Sequence, residues 1–142
     1  MSEQEQEQEQ EQEQEPVRVR DVMTSHFQLV DGLMMVEEAL GMMKENDSRV
    51  LIVDKRHTND EFGIVLLSDV AREVLSANRS PERVNVYEVM SKPVVSVNPD
   101  MDIRYCARLF HRLGFSYAPV IDGNSVLGIV GYADLVLSGL VK

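Results

Sequence analysis

The chain has 142 residues, of which 44% are hydrophobic and 27% charged, a balance typical of one compact domain or of two small domains sharing a core. The formal net charge is −10, but residues 3–15 contain seven Glu and no basic residue. Outside that segment, 17 of the 24 acidic residues remain against 14 basic ones. No basic face is indicated, so a nucleic-acid-binding function is not expected.

Other classes are excluded by residue counts and by the N-terminal composition. A single cysteine, Cys106, cannot form an intramolecular disulfide, and there is no Cys pair for a zinc or iron–sulfur site. No apolar run reaches the roughly 18 residues needed to span a bilayer. The first 15 residues are acidic and polar, unlike a secretory signal. We therefore expect a cytoplasmic protein without membrane contact.

The N-terminal segment, residues 1–16, consists mainly of alternating Glu and Gln over 3–15, and Pro16 ends the pattern. The alternating stretch offers no apolar side chain to bury, and its glutamates repel one another at helical i,i+4 spacing. We predict a disordered, solubilising tail, with a binding motif as the alternative.

The rest of the chain contains an internal repeat. The sequence RDVMT at residues 20–24 recurs as YEVMS at 87–91, and GIV at 63–65, with Asp69, recurs as GIV at 128–130, with Asp134. SRVLIVD at 48–54 recurs as SYAPVID at 116–122, one residue out of step with the first block. This predicts two homologous units, residues 17–78 and 84–142, joined by a linker at 79–83.

The apolar pattern of each unit predicts strands and helices in the order β-α-β-β-α. In the first unit, Asp31 is the expected N-cap of the first helix, and Ser68 or Asp69 is expected to begin the second. The predicted strands and helical faces of the first unit are 27–30, the apolar positions 36, 39, 40 and 43, then 50–53, 62–67 and the apolar positions 70, 74 and 75. Those of the second unit are 94–97, the apolar positions 103, 106, 109, 110 and 113, then 117–121, 126–132 and a final helix to about 141.

This combination of blocks and spacing resembles a tandem cystathionine-β-synthase (CBS) domain pair, or Bateman module, over residues 17–141. The resemblance implies an α/β (α+β) fold of two CBS repeats packed with pseudo-two-fold symmetry. It also implies a regulatory module that binds an adenosine-containing ligand, such as AMP, ADP, ATP or S-adenosylmethionine, in the cleft between the repeats. No cofactor is required, and such pairs commonly form homodimers. The alternative is a degenerate, ligand-free pair that acts in dimerisation or protein interaction.

The resemblance also suggests ligand contacts in two clefts. Asp69 and Asp134 match the family's ribose-binding aspartate, whose carboxylate can accept hydrogen bonds from both ribose hydroxyls. By residue type alone, each could simply stabilise the first turn of a helix. The residues expected with Asp69 are Ser68, Arg49, Ser91, Lys92 and Val94. The residues expected with Asp134 are Ser116, Tyr117, Pro119, Thr24, Ser25 and His26.

The chain departs from the family pattern at the position three residues after each glycine. The usual Thr or Ser is Leu66 in the first unit, where its bulk opposes a phosphate, and Gly131 in the second, which leaves space. Because the first cleft is expected to hold the cations Arg49 and Lys92, it would suit a charged nucleotide, whereas the room at Gly131 would suit a nucleoside-like ligand. Arg49 could equally be an exposed side chain, and Tyr117 a core or interface residue.

Other notable residues predict structure rather than chemistry. The methionines of the first long helix suit a dimer interface, with core packing equally open for Met43; they are Met34, Met35, Met42 and Met43. Cys106 is expected to be a buried structural thiol. The three histidines lack metal-ligand spacing, and no catalytic motif is present. We expect no enzyme activity, no metal, and a regulated partner on a separate chain.

Overall fold

The structure is a computed structural model that describes residues 16–92 and 94–141. The tail predicted as disordered lies outside the described residues except for Pro16, so that prediction is untested. The described part mixes helices with small sheets, as the sequence predicts.

The first repeat begins with a short helix, α1 (Val19–Val22). Its further elements are β1 (Leu29–Val30), α2 (Val36–Glu45), β2 (Val50–Val53), β3 (Gly63–Leu66), α3 (Leu67–Val70) and a π-helical turn (Ala71–Leu75). The strands form one sheet in which β2 is central, parallel to β1 and antiparallel to β3. The helical face predicted for α2 is confirmed, because Val36, Ala39 and Met43 are buried.

The second repeat follows the short 3₁₀ turn Pro81–Arg83 and begins with another, Val86–Glu88. Its further elements are α4 (Ile103–Leu113), β4 (Tyr117–Asp122), β5 (Ser125–Gly131) and a π-helical turn (Asp134–Ser138). Strands β4 and β5 are antiparallel. The strand predicted at 94–97 is reduced to a single parallel bridge between Val97 and Val120, which corresponds to the pairing of Val30 with Val53 in the first repeat.

The N-terminal segments of the two repeats are exchanged. Val19 and Val22 of α1 pack into the core of the second repeat, whereas Val86 and Val89 pack into the core of the first. The backbone hydrogen bonds are mirrored: the Ile103 amide donates to the Val17 carbonyl (3.0 Å), and the Val36 amide to the Val84 carbonyl (2.8 Å). This mirrored exchange places the two repeats about a pseudo-two-fold axis and ties them together.

A third apolar cluster lies where the two sheets face each other. Its buried members are Val50, Ile52, Phe62, Ile64 and Ile129. Alternate residues of β2 and β3 point into this cluster or into the first repeat's own core, as the period of two in a strand requires. Burial on both faces explains why β2 is apolar at every position.

Three details of the sequence-based prediction are wrong. Asp31 does not cap α2: its carboxylate accepts from the Leu33 amide (2.8 Å) in a turn, and the helix starts later, after Met35. Helix α3 begins at Leu67, ahead of the predicted start at Ser68 or Asp69.

The third error is the extra residue assigned before Ser116. Val50 pairs with Leu66 as Tyr117 pairs with Gly131, so the structural counterpart of Tyr117 is Val50 rather than Arg49. The repeat spacing is therefore 67 residues from α1 through β4, as for Val36 and Ile103. A register irregularity after Val120 and a shorter hairpin then reduce the spacing.

Candidate functional site

Asp69 lies at the turn from β3 into α3, and its carboxylate is fixed by two donors. Oδ2 accepts a hydrogen bond from the Leu66 amide (2.8 Å), and Oδ1 accepts one from the Arg72 guanidinium (3.1 Å). The residue is only 7% exposed. The amide bond is the one expected of an acidic residue in a first helical turn. The carboxylate is thus buried and oriented, and each oxygen still has a lone pair to offer.

A cavity of about 300 Å³ opens beside Asp69 and is walled by both repeats. Its first-repeat lining is Ile64, Leu66, Ser68, Asp69 and Arg72. The rest comes from the segment after the linker and from the end of α4 into β4: Ser91, Val94, Val95, Gly114, Phe115, Ser116 and Tyr117. The cavity therefore combines one carboxylate, one guanidinium, three hydroxyl-bearing serines and an apolar and aromatic wall, a composition suited to a small organic ligand.

Arg72 is the cation at this cavity, and the sequence analysis did not single it out. It pairs with Glu73 (3.1 Å) as well as with Asp69, and these two partners raise the pKa of its guanidinium, Glu73 more strongly. The side chain is 65% exposed, so these pairs are worth little to stability. The signal for it was the i,i+3 spacing from Asp69, which places both side chains on one helix face.

Asp134 has the same position at the end of β5, but different surroundings. Its Oδ2 accepts from the Gly131 amide (2.8 Å), as Asp69 does from Leu66. Its Oδ1 accepts from the Thr24 hydroxyl (3.1 Å), on the segment between α1 and β1 of the first repeat. Thr24 and Asp134 thus come together as the sequence predicts.

The space expected at Gly131 is occupied by Tyr117. A Cβ placed on Gly131 would lie 2.7 Å from Tyr117 Cε1 and 2.8 Å from Cδ1. The aromatic ring therefore covers the glycine, and the Gly131 amide is already used by Asp134. The expectation of room at this glycine is not met, because the neighbouring strand fills it.

The remaining predicted site residues are distributed differently from the sequence-based grouping. Ser68, Ser91 and Val94 line the Asp69 cavity as expected, and Ser116 and Tyr117, which the sequence groups with Asp134, line the same cavity. The stretch from the end of α4 into β4 faces the first repeat across this cavity, and it carries both residues.

Two predicted cations and one proline lie elsewhere. Lys92 forms an ion pair with Asp60, which lowers the pKa of that carboxyl well below its usual range. Arg49 is exposed, and its carbonyl accepts from the Leu67 amide (3.1 Å). Pro119 is buried in β4 opposite Ile129. None of the three is among the residues lining the Asp69 cavity.

Three further features bear on other functions. Within 16–92 and 94–141, no cluster of three or more His, Cys, Asp or Glu could hold a metal. In the same ranges, no helix combines the length and apolarity needed to cross a membrane. Cys106 is fully buried, and burial raises the pKa of its thiol to about 11, which agrees with the expected structural thiol.

The comparison with protein families decides the membership of this chain. The model of the CBS domain matches residues 19–76 and again 86–139. The chain belongs to the CBS domain family. Its two repeats form a CBS pair, and the resemblance drawn from the sequence is confirmed.

Similar proteins and structures support this assignment. A hexameric CBS-CP12 protein from bloom-forming cyanobacteria is 36% identical, with a TM-score of 0.86 over 89% of this chain and 74% of the other. A Methanopyrus kandleri protein, MK0525, is 29% identical over 71% of this chain. The chain spans about half of that relative's length (51%).

The CBS pair of protein MJ0100 shares the fold. It is 22% identical, with a TM-score of 0.77 over 90% of this chain and all of the other (100%). That structure is a complex with 5′-methylthioadenosine and S-adenosyl-L-methionine.

Proposed function

We propose that this CBS pair is a regulatory, non-catalytic module that senses an adenosine-containing ligand in the Asp69 cavity and signals to a separate partner protein in the cytoplasm. The observation that carries the proposal is a buried, oriented carboxylate in the wall of a cavity that both repeats build. No cofactor is required for this role.

The cavity chemistry suits a nucleoside. Its volume of about 300 Å³ is at the small end of ligand pockets, which fits one base and one sugar. The remaining lone pairs of Asp69 can accept from the two vicinal ribose hydroxyls. Tyr117 offers an aromatic edge or face for the base, and Ile64 and Val94 offer apolar contacts. AMP, ADP, ATP and S-adenosylmethionine are the candidates to test.

Two side chains determine how much charge the ligand can carry. Arg72 can approach an anionic group, but it is already paired with Asp69 and Glu73. Leu66 lies where the family usually has a hydroxyl, and it offers no hydrogen bond. These features favour a ligand with little negative charge near the sugar, such as the nucleoside or S-adenosylmethionine. The adenosine ligands of MJ0100 support the choice of class.

The site can regulate because its walls come from both repeats. A ligand shifts a conformational equilibrium only if it binds one arrangement more tightly than the other. Closing Ser116 and Tyr117 onto the Asp69 side would supply such a difference. The partner that reads this change belongs to a separate chain in our proposal.

Self-association into a homodimer is also part of the proposal. Met35 of the segment leading into α2 is 40% exposed, and Met34 and Met42 are only partly buried against the first core. Flexible thioethers suit an adaptable interface. The hexameric assembly of the CBS-CP12 protein supports association through this fold. Met43 is buried in the core.

The proposal is tested by thermal unfolding with a panel of adenosine, AMP, ADP, ATP, 5′-methylthioadenosine and S-adenosylmethionine. A ligand at 100 times its Kd adds about 2.7 kcal/mol to the stability, which raises Tm by roughly 5–10 °C. We expect the shift to be lost in Asp69→Asn, which keeps the side-chain shape. The matched control, Asp134→Asn, should keep it.

A second candidate function is a ligand-free interaction module, as the sequence alternative holds. Leu66 in the cavity wall and Tyr117 over Gly131 favour it. No thermal shift with any ligand, on protein that unfolds cooperatively, would exclude sensing of the panel ligands and leave this candidate. An equal shift in Asp69→Asn would contradict the assigned cavity.

A further inference from the structure

The outer face of α4 carries a basic stripe, so the expectation that the fold has no basic face is wrong for this helix. Arg104, Arg108 and Arg112 follow one another at i,i+4 spacing, and His111 lies beside them; all four are exposed. A shallow groove on this face is lined by Ala107, Arg108, His111 and Arg112. Side chains at this spacing share one side of a helix, so α4 presents a row of positive charge to solvent.

The pseudo-symmetric helix α2 lacks this stripe. The positions that correspond to Arg104, Arg108 and Arg112 are Glu37, Gly41 and Glu45. The fold itself therefore does not require a basic outer helix face. The difference is specific to the second repeat.

Part of the charge on α4 is balanced locally, but most is not. Arg104 pairs with Asp102 at the start of its own helix (2.9 Å). Arg108 lies over the Tyr105 ring, 5.7 Å from its centre. Within the described residues, neither Arg108 nor Arg112 lies within ion-pair distance of a carboxylate.

The Glu-rich segment joins the fold at the start of this same helix. The Val17 carbonyl accepts from the Ile103 amide (3.0 Å), and Arg18 donates to the Asp100 carbonyl (2.6 Å). Residues 3–15, with seven Glu and no basic residue, therefore connect to the N-terminal end of α4 through Pro16. The corresponding point on α2 is Val84, where the incoming chain is the 3₁₀ turn Pro81–Arg83.

The Glu-rich segment is long enough to reach along the basic stripe of α4, and its charge is opposite. Helix α4 has 11 residues and is about 16 Å long at 1.5 Å per residue. Thirteen residues of chain, at up to about 3.4 Å each, can extend well beyond that. Tethering holds the glutamates near the stripe at an effective concentration in the millimolar range.

We propose that the Glu-rich segment, residues 3–15, binds the basic stripe of α4 in the same molecule. The interaction is electrostatic, between Glu carboxylates and the guanidinium groups of Arg108 and Arg112. It covers this face against other anionic partners, which must displace the segment to bind. The inference does not depend on the proposed ligand or its cavity.

The test uses the full chain with a nitroxide spin label on Ser2→Cys. Cys106 is buried, and the same reagent applied to the unsubstituted chain checks that it stays unlabelled. In low salt we expect the label to broaden the amide signals of α4 and not those of α2, which serves as the internal control. The broadening should disappear in about 1 M NaCl, where the screening length is about 3 Å.

One variant tests each side of the contact, and a third serves as a control. Glu→Gln at positions 3, 5, 7, 9, 11, 13 and 15 keeps the length of the segment and should abolish the broadening of α4. The double variant Arg108→Gln, Arg112→Gln should do the same, while Lys44→Gln on α2 should leave the broadening unchanged. Circular dichroism checks that each variant is folded.

The alternatives give different results. Equal broadening of α2 and α4, or none at low salt, would overturn the proposal. A mixed sample tests whether the segment of a second copy binds instead. It combines chains that carry the spin label but no ¹⁵N with ¹⁵N-labelled chains that carry no spin label. Broadening of α4 in this sample would overturn the intramolecular assignment. Poly-L-glutamate should bind the Glu→Gln variant more tightly than the parent, and equal binding would contradict the masking of this face.

Discussion

Asp69 and Asp134 occupy equivalent positions in the two repeats, but of their hydrogen bonds only the one to a backbone amide is common to both. Each carboxylate accepts a hydrogen bond (2.8 Å) from the backbone amide three residues earlier, that of Leu66 for Asp69 and that of Gly131 for Asp134. Their second oxygens differ: Arg72 approaches Asp69, whereas the Thr24 hydroxyl approaches Asp134. The helix-start role follows from the fold, and the remaining partners follow from each repeat's own sequence.

The aromatic residue between the two halves contributes to this difference. Tyr117 lines the cavity beside Asp69 and at the same time covers Gly131 on the neighbouring strand. One side chain thus helps to form one site and fills space near the other. A duplicated module can in this way keep one open cavity without losing the packing of the second half.

The largest expected effect compares Gly63, at the start of β3, with Gly128, its counterpart within β5. A Cβ on Gly128 would lie 2.6 Å from the Thr24 carbonyl oxygen, which is backbone, whereas one on Gly63 would meet the Met90 sulfur at 2.8 Å. A methionine side chain can move, but the bridge between Thr24 and Ile129 cannot. We expect Gly128→Ala to destabilise by about 3 kcal/mol or more and Gly63→Ala by about 1–2 kcal/mol, as for overpacked cores.

Urea unfolding of the two glycine variants measures this difference. Gly41→Ala, where nothing lies within 4 Å of the added carbon, is the control for the substitution itself. Equal losses for Gly128→Ala and Gly63→Ala would show that the exchanged segments are equally mobile in the two halves.

The second prediction tests the filling of the space at Gly131. Gly131→Ser restores the residue type usual in the family, but its Cβ collides with the Tyr117 ring. We expect a loss of about 1–3 kcal/mol, measured by urea unfolding. In a Tyr117→Val background the collision is absent, so adding Gly131→Ser there should cost much less than it costs in the parent chain. A loss that persists unchanged would place the strain in the backbone instead.

The local elements were predictable because their signals are local. The apolar spacing of 36, 39 and 43 sets the buried face of α2, and Asp102 and Gly114 bound α4 as its N-cap and left-handed C-cap. The repeat alignment at β2 and β4 was not predictable. Val50 to Val53 are all apolar and buried, so a slip of one residue leaves no mark on the pattern although it reverses every side chain.

The site was predictable only in part for a related reason. Asp69, Ser68 and Ser91 follow from the repeat and its family resemblance. Gly114 and Phe115 join the cavity because the segment after α4 faces the other repeat, which no local pattern records. Lys92 has the charge expected of a ligand contact, but Asp60, 32 residues earlier, binds it instead.

The third prediction asks whether the two carboxylates contribute equally to folding. Asp69→Ala and Asp134→Ala each leave a backbone amide without its acceptor, which costs about 1 kcal/mol at a helix start. We expect the two losses in free energy of unfolding to agree within about 0.5 kcal/mol. Arg72→Ala should cost less than either, because its ion pairs are exposed. A much larger loss for Asp69→Ala would give that residue a greater structural role than its counterpart.

The smallest expected effect concerns an ion pair whose cation has no basic counterpart in the other half. The hydrogen bond from Lys92 is the largest cause that lowers the pKa of Asp60 well below its usual range. The residue that corresponds to Lys92 is Ser25. A carboxyl whose pKa is lower in the folded state stabilises the protein above its unfolded pKa of about 3.9, and this contribution decreases as the pH falls below that value.

Asp60→Asn should therefore be less stable than the parent chain at pH 7, with the difference shrinking as the pH is lowered from about 4. Lys92→Met should reproduce the loss at pH 7, and the double variant should lose little more than either single one, because both remove the same pair. Urea midpoints at pH 7, 4 and 3 give the comparison. If Lys92→Met also weakened ligand binding in the Asp69 cavity while Asp60→Asn did not, Lys92 would contact the ligand as the family resemblance implies. Equal binding by both variants would assign Lys92 to the link between the repeats alone.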